Sequence, residues 1–400
     1  MKIKFVRASA GHRWWNCPGS VLAEQTAPPI SGSEHALQGS TAHRLLELCL
    51  SRNKDAVEYE DMEIKLPREK IMRKVDSEMA EHIQDGLDLI RSLRGKGVLW
   101  TESEIIIKTK PAATGGVLDV GWHGQYLERN KKKPKKTWQL HILDLKYGRG
   151  AYTDPEENKQ LSIYGLGKLL ELRRLGKKVD TIHLWIYQPR LETAMGPFRE
   201  VVLTPYQLEH EFRQELDEKV KAAAHPQAKR IPGPWCSYCA AHAVCREAEK
   251  ANMRMFRTKF EENDRDRIGE LLFQIPRFIQ WCNAIKELGA TMAGHHNLPT
   301  GWKQVPGNQY KRWKGDKEDL LKTIGKKLER LQLSYDDFAP RRLASPAAVL
   351  RMVDKDQKTK VEEMFFIQRG KPLLRPASDK RTEIDSTSYF EQEGGDDGLL

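Results

Sequence analysis

Residues 114–150 read TGGVLDVGWHGQYLERNKKKPKKTWQLHILDLKYGRG, and two apolar runs within them decide the fold. VLDVGWHG (117–124) follows a Thr114-Gly115-Gly116 turn signal, and TWQLHILDLKY (137–147) follows as a more apolar strand. The lysine-rich KKKPKK (131–136) between them is expected at the tip of a hairpin. Side chains alternate across a strand, so Asp144 and Lys146 share one face while Leu145 points to the other. With Asp119 at the end of the neighbouring strand, three polar side chains come to one edge of a sheet. Two carboxylates facing each other across adjacent strands suit Mg²⁺ or Mn²⁺, hard ions that take carboxylate, water and phosphate oxygens. A lysine beside them can orient or help deprotonate water and offset charge building on a phosphate. Taken alone, the same residues are also ordinary strand-edge carboxylates in ion pairs with lysines.

Upstream, WTESEIIIKT (100–109) alternates like a further strand, with Glu104 as a secondary candidate for the site, and GSTAHRLLELCL (39–50) is expected to start a helix capped by Ser40 or Thr41. Leu45, Leu46 and Leu48 give that helix an apolar face, and His43 and Glu47 share another side. Downstream, Asp154 and Pro155 are expected to cap and open a helix through EENKQLSIYGLGKLLELRRL (156–175), ending near Gly176. Gln160 and Tyr164 lie four apart on one of its faces. DTIHLWIYQPR (180–190) and FREVVLT (198–204) predict two more strands, and residues 206–224 another helix. The fold expected is α/β: a mixed sheet flanked by helices over 1–250, then a mainly helical region over 251–385 that becomes mixed beyond the early 290s. An acidic tail, 386–400, is expected to be disordered.

Of 400 residues, 39% are hydrophobic and 31% charged, which excludes a disordered polymer. Lysine and arginine outnumber aspartate and glutamate by 67 to 56, a net charge of +11 that favours a polyanionic partner such as DNA without establishing one. Lys131, Lys132, Lys133, Lys135, Lys136 and Arg149 fit either a DNA channel or a solvated hairpin tip. Trp14 and Trp15 fit either base stacking or packing. The first twenty residues hold no long apolar run, so neither a secretory signal nor a membrane anchor is expected, and the cytoplasm is the expected location. CSYCAAHAVC (236–245) sets Cys236, Cys239 and Cys245 close enough to grip one metal centre. A fourth ligand could come from Cys17, Cys49, Cys282 or His242, although Cys49 and Cys282 fit core positions.

The order of a histidine helix, a strand acid, an acid-x-lysine strand and a Q-x-x-x-Y helix resembles the PD-(D/E)xK nuclease superfamily, in particular its RecB-type exonuclease branch. That resemblance implies a restriction-endonuclease-like core and a Mg²⁺- or Mn²⁺-dependent DNA exonuclease. It gives His43, Asp119 and Asp144 to the metal, makes Lys146 the catalytic lysine, and lets Gln160 and Tyr164 position DNA. HRWWNCPGS (12–20) is similar to the N-terminal segment of iron–sulfur members of that branch, which implies a [4Fe–4S] cluster on Cys17, Cys236, Cys239 and Cys245. Zinc on the same ligands, and free buried cysteines, are the competing readings. RASAGHRWWNCPGS (7–20), the histidine helix, ASPAAVLRM (344–352) and GKPLLRPASDKR (370–381) resemble the DUF2800 group of phage and prophage proteins. That implies a part in DNA end processing, recombination or host DNA degradation, beside phage recombination or replication proteins. A non-cleaving DNA-binding accessory protein on the same fold is the alternative.

Overall fold

The computed structural model describes residues 3–28, 34–67, 70–128, 135–148, 152–191, 196–257, 265–295, 297–307, 309–314, 320–334, 346–354, 356–369, 373–376 and 383. Lys131, Lys132, Lys133, Arg149 and the acidic tail therefore lie outside the described residues. The chain divides into two compact units, Met1–Ile285 and Lys286–Leu400.

The first unit is a mixed sheet between two layers of helix, as the patterning predicts. Its strands are β1 (Phe5–Arg7), β4 (Val98–Lys108), β5 (Ala113–Glu128), β6 (Lys135–Leu145), β7 (Thr181–Tyr187) and β8 (Phe198–Leu203); β2 (Glu63–Leu66) and β3 (Ile71–Lys74) form a separate hairpin. β4, β5 and β6 are antiparallel, β7 runs parallel to β6, and β8 returns antiparallel. The parallel step needs a crossover, which α5 (Lys159–Arg174) supplies.

One face of the sheet takes Leu161, Ile163, Leu166 and Leu169 of α5 and Leu216 and Val220 of α6 (Arg213–Ala223) against Leu140, Ile142, Ile182 and Leu184. The other takes Leu45, Leu46 and Cys49 of α3 (Glu34–Arg52), which follows the short helices α1 (Gly11–Asn16) and α2 (Ser20–Gln25), and Ile83, Leu87 and Ile90 of α4 (Ser77–Arg94) against Trp122, Leu143 and Leu145. Cys49 is thus core, whereas Cys282, expected in a core, is half-buried.

Three local expectations are corrected. α3 begins at Glu34, and Thr41 sits inside it with its hydroxyl donating to Leu37 O at 2.7 Å, so neither Ser40 nor Thr41 is the cap. α5 begins at Lys159, capped by Asn158, whose Oδ1 accepts Leu161 N–H at 3.0 Å; Asp154 instead accepts Glu156 N–H in a local turn. Thr114, Gly115 and Gly116 are not a turn but part of β5. Gly115 has φ +153° and a Cβ there would lie 1.8 Å from Ile105 O, so the strand needs glycine where a turn signal suggested a break.

In the second unit, β9 (Trp302–Val305) pairs with β12 (Leu373–Pro376) and β10 (Gln309–Trp313) with β11 (Phe365–Arg369). Ile324, Leu328, Val349, Leu350, Val361 and Phe365 form its core.

Candidate metal and nucleic-acid site

β5 is long enough to be shared. β4 occupies one of its edges, while the other edge is taken first by β1, at Ala113–Gly115, and later by β6, from Val120 onward. Residues 116–119 lie in the gap between them. β1 runs parallel to β5 and β6 antiparallel, so both point their C-terminal ends at the gap. Continuing the β5–β6 register by one residue sets Asp119 opposite Asp144, and the β4–β5 register sets Glu102 opposite Asp119. Pairing breaks at that row: Asp119 Oδ2 accepts Leu145 N–H at 2.8 Å, and Glu102 adopts a left-handed backbone, φ +46°. A left-handed glutamate in a strand is strained, and such strain concentrates at functional positions.

The gap opens into a cleft of about 920 Å³ lined by His43, Glu102, Glu104, Asp119, Asp144, Lys146, Gln160 and Tyr164. The structure thus brings together six residues that the sequence singled out, with Glu104 exposed on the wall. Asp144 is buried at the bottom. Its Oδ1 accepts from Gln160 Nε2 at 2.7 Å, and Lys146 Nζ, 2.7 Å from Oδ2, also donates to Gln160 Oε1 at 3.1 Å. Oδ2 is thus buried and ion-paired to Lys146. Tyr164 stands beside Gln160, and a Cβ on Gly116 would lie 2.8 Å from its hydroxyl; the glycine makes room for the ring. His43 reaches across from α3 to place Nδ1 3.2 Å from Asp119 Oδ1.

The charges are strongly interdependent. Burial alone would raise the pKa of Asp119, but the His43 imidazolium, its hydrogen bond, the Leu145 N–H and Lys146 outweigh it and hold the pKa below the usual range. Burial pushes Asp144 up, and the Asp119 charge adds to that against the pull of Lys146. For His43 and Lys146, burial acts to discharge them, yet the two carboxylates prevail and both are held above their ordinary values. Burial also raises the phenol of Tyr164, as does Asp144.

His43, Glu102 and Asp119 offer ligand atoms within 4.8 Å of one another; Asp144 falls outside that trio. Glu102 was not singled out in the sequence. Glu104 shares its strand face, and nothing local distinguishes the two until the backbone twist at 102 is seen.

A second group, His141, His183 and Glu200, is as closely spaced but differently built. The two imidazoles stack with centroids 4.3 Å apart and planes at 15°, and Trp122 stacks on His141 at 4.7 Å. An imidazole holds a cation through a lone pair in its ring plane, and stacked rings do not aim those pairs at one point. Their nitrogens are also engaged. Trp185 Nε1 donates to His141 Nδ1 at 3.2 Å, His141 Nε2 meets Gln139 Oε1 at 3.2 Å, and His183 lies against Glu200 at 2.6 Å and Thr181 at 3.1 Å. This group is a hydrogen-bonded packing motif.

Cys17, Cys236, Cys239 and Cys245 line one cavity with His242. Cys17 accepts Ile231 N–H at 3.2 Å and Cys236 accepts Gly233 N–H at 3.5 Å, contacts that suit thiolate sulfur. Among the described residues no three cysteine sulfurs lie within 4.8 Å of one another. Burial raises the thiols of Cys17 and Cys236 and pushes Cys239 up to about 12. Trp14 and Trp15 are buried beside this region, their indoles donating to Arg7 O at 2.9 Å and Glu215 Oε1 at 2.6 Å; they pack and do not face the cleft.

No helix among the described residues is long and apolar enough to cross a membrane. Residues 5–114 and 135–382 match the family described as "Protein of unknown function (DUF2800)", and the chain belongs to that family. Among solved structures it is similar to a candidate exonuclease of Eubacterium rectale at 11% identity, covering 67% of this chain and 92% of that one, with a TM-score of 0.33. It is also similar to LHK-Exo in complex with dAMP, at 12% identity, 54% and 90% coverage and a TM-score of 0.20. The alkaline exonuclease LHK-Exo of Laribacter hongkongensis gives 11% identity, 53% and 92% coverage and 0.18.

Proposed function

We propose that the chain is a Mg²⁺- or Mn²⁺-dependent DNA nuclease of the PD-(D/E)xK, RecB-type kind, acting as an exonuclease in phage DNA end processing, recombination or host DNA degradation. One observation carries the reading: Asp119 and Asp144 stand opposite each other in a break of the sheet, with the buried Asp144 carboxylate ion-paired to Lys146. Two carboxylates facing each other across a sheet break, with a histidine and Glu102 lining the same cleft, fit the oxygen-rich ligand set of a hard divalent cation. Asp119, Asp144 and His43 would hold the ion, with Glu102 as a further carboxylate. When bound, it would polarise a phosphodiester and lower the pKa of a water.

The chain's own residues do the rest. Gln160 bridges Asp144 and Lys146, fixing the carboxylate and the ammonium relative to each other. Lys146, held protonated by the two carboxylates, is placed to orient water and to stabilise negative charge on the phosphate oxygens. Tyr164 supports Gln160 and closes the wall at Gly116. The first turn of α5 adds the positive end of a helix dipole.

In the same reading Cys17, Cys236, Cys239 and Cys245 hold a [4Fe–4S] cluster that ties the N-terminal segment to residues 236–245. Iron and sulfide in anaerobically purified protein support this assignment; zinc alone overturns it.

The nuclease reading is tested with linear and circular, single- and double-stranded DNA in Mg²⁺ or Mn²⁺. Cleavage of linear DNA that disappears in Asp119→Ala and Lys146→Ala is expected. Binding without any cleavage would instead establish a non-cleaving accessory protein.

A further inference from the structure

We infer that the outward face of β1 and the facing side of α3 form a track for an unpaired DNA strand, with Phe5 as a base-stacking platform and Arg7 as a phosphate contact. The inference rests on the nuclease reading and names how its substrate is held.

The cleft extends well beyond the carboxylates, and Phe5, Arg7 and Ser9 line it together with Ala36, Gly39, Ser40, Leu66 and Pro67. β1 alternates exposed, buried, exposed, with Val6 in the core and Phe5 and Arg7 outside. Phe5 is 38% exposed and lines the cleft. Arg7 is exposed and forms no ion pair among the described residues, although the chain pairs many of its arginines. Its backbone carbonyl is held by Trp14, which fixes the strand while the side chain lines the cleft.

The topology sets the spacing. Arg7 is level with Gly115 and Phe5 with Ala113, four and six residues from Asp119. At ~3.3 Å per residue these steps put them roughly 13 and 20 Å along β5 from the carboxylates. That distance spans several nucleotides of a strand rising ~3.4 Å or more per step. α3 lines the same cleft. From His43 back to Ala36, α3 presents Ser40, Gly39 and Ala36 to the cleft, and a Cβ on Gly39 would meet nothing within 4 Å. Small side chains on one wall and a ring and a cation on the other leave a slot for a flexible backbone with its bases turned toward β1. A ring stacks on a base only when that base is free of its partner, so the track selects an unpaired strand and does so without reading sequence.

The test uses full-length protein carrying Asp144→Asn and measures binding to a short oligo(dT) and to a blunt duplex by fluorescence anisotropy across a salt series. Phe5→Ala should weaken oligo(dT) binding about five-fold or more, with Phe5→Trp restoring it and the salt slope unchanged. Arg7→Ala should weaken binding and reduce the slope of log K against log salt by about 0.7. Both side chains are exposed, so the fold should survive each change. The track is overturned if the parent does not bind oligo(dT), if both variants bind like the parent, or if duplex binding falls as far as oligo(dT) binding. The native chain is assayed for cleavage in parallel. Expected losses of binding in the variants, with no cleavage by the native chain, would sink the nuclease reading and leave the track standing.

Discussion

Two histidine–carboxylate groups stand on the same sheet, and only one is built to receive an ion. His141 and Asp144 are three residues apart on β6 and so project from opposite faces. On the His141 side every ring nitrogen has a neighbour and the imidazoles are stacked. On the Asp144 side the strands part, the carboxylates line an open cleft, and the groups around them are charged. Proximity of ligand types is thus a poor guide by itself. What separates the two is whether lone pairs converge on open space or are spent on neighbours.

The largest effect expected is on catalysis. Asp144→Asn and Lys146→Ala should each lower DNA cleavage by roughly 10²–10³-fold or more. His141→Ala should leave the rate per folded molecule unchanged while destabilising the fold by ~3 kcal/mol, since it empties a stacked core position. Cleavage assays beside urea titrations separate the two outcomes; a His141 variant that is stable but inactive would reverse the comparison.

Metal linkage comes next. Mn²⁺ at about a hundred times its dissociation constant should stabilise the native chain by ~2.7 kcal/mol. That gain should vanish in Asp119→Asn and persist in His183→Ala, a contrast read from thermal unfolding with and without the ion.

A subtler contrast is the sign of the pH response in the metal-free protein. His43 is raised by its carboxylates, so its contribution to stability is present below about pH 6.5 and lost as pH rises through its elevated pKa. Asp119 is lowered, so its contribution is present above about pH 3.9 and lost as pH falls through its depressed value. His141 is pushed by burial, and by His183, down to about 2. The unfolded chain takes up a proton there below about pH 6.5 that the folded chain does not, so that contribution is lost as pH falls. His43→Gln should remove part of the alkaline loss, and His141→Phe part of the acid loss, in urea midpoints measured across pH. Equal pH profiles for the two variants would contradict this assignment of charges.

The smallest change is expected at Glu104. It is exposed on the cleft wall, so Glu104→Gln should alter cleavage by less than about three-fold, whereas Glu102→Gln should cost roughly ten-fold or more. Rates of the two variants in Mn²⁺ check the ranking, and the reverse order would remove Glu102 from the site.

Much of this architecture is legible in local spacing. Two-residue alternation in LDLK places Asp144 and Lys146 together, four-residue spacing places Gln160 beside Tyr164, and the leucines after His43 fix which side of α3 is core. What escaped is non-local. No local pattern shows that β1 and β6 share an edge of β5, which creates the gap, or that Glu102 turns left-handed within a strand. Gly115 and Gly116 looked like a turn because glycine marks both tight turns and close backbone approaches, and here Ile105 and Tyr164 are what approach. Asp154-Pro155 offered a good cap, but Asn158 takes that role nearer the site.

The most direct measurement is an anomalous difference map from crystals of the full chain soaked in Mn²⁺. A peak is expected between Asp119 and Asp144, within ligand reach of His43 or Glu102, and none at His141, His183 and Glu200. A peak at the stacked histidines with none at the carboxylates would contradict that expectation.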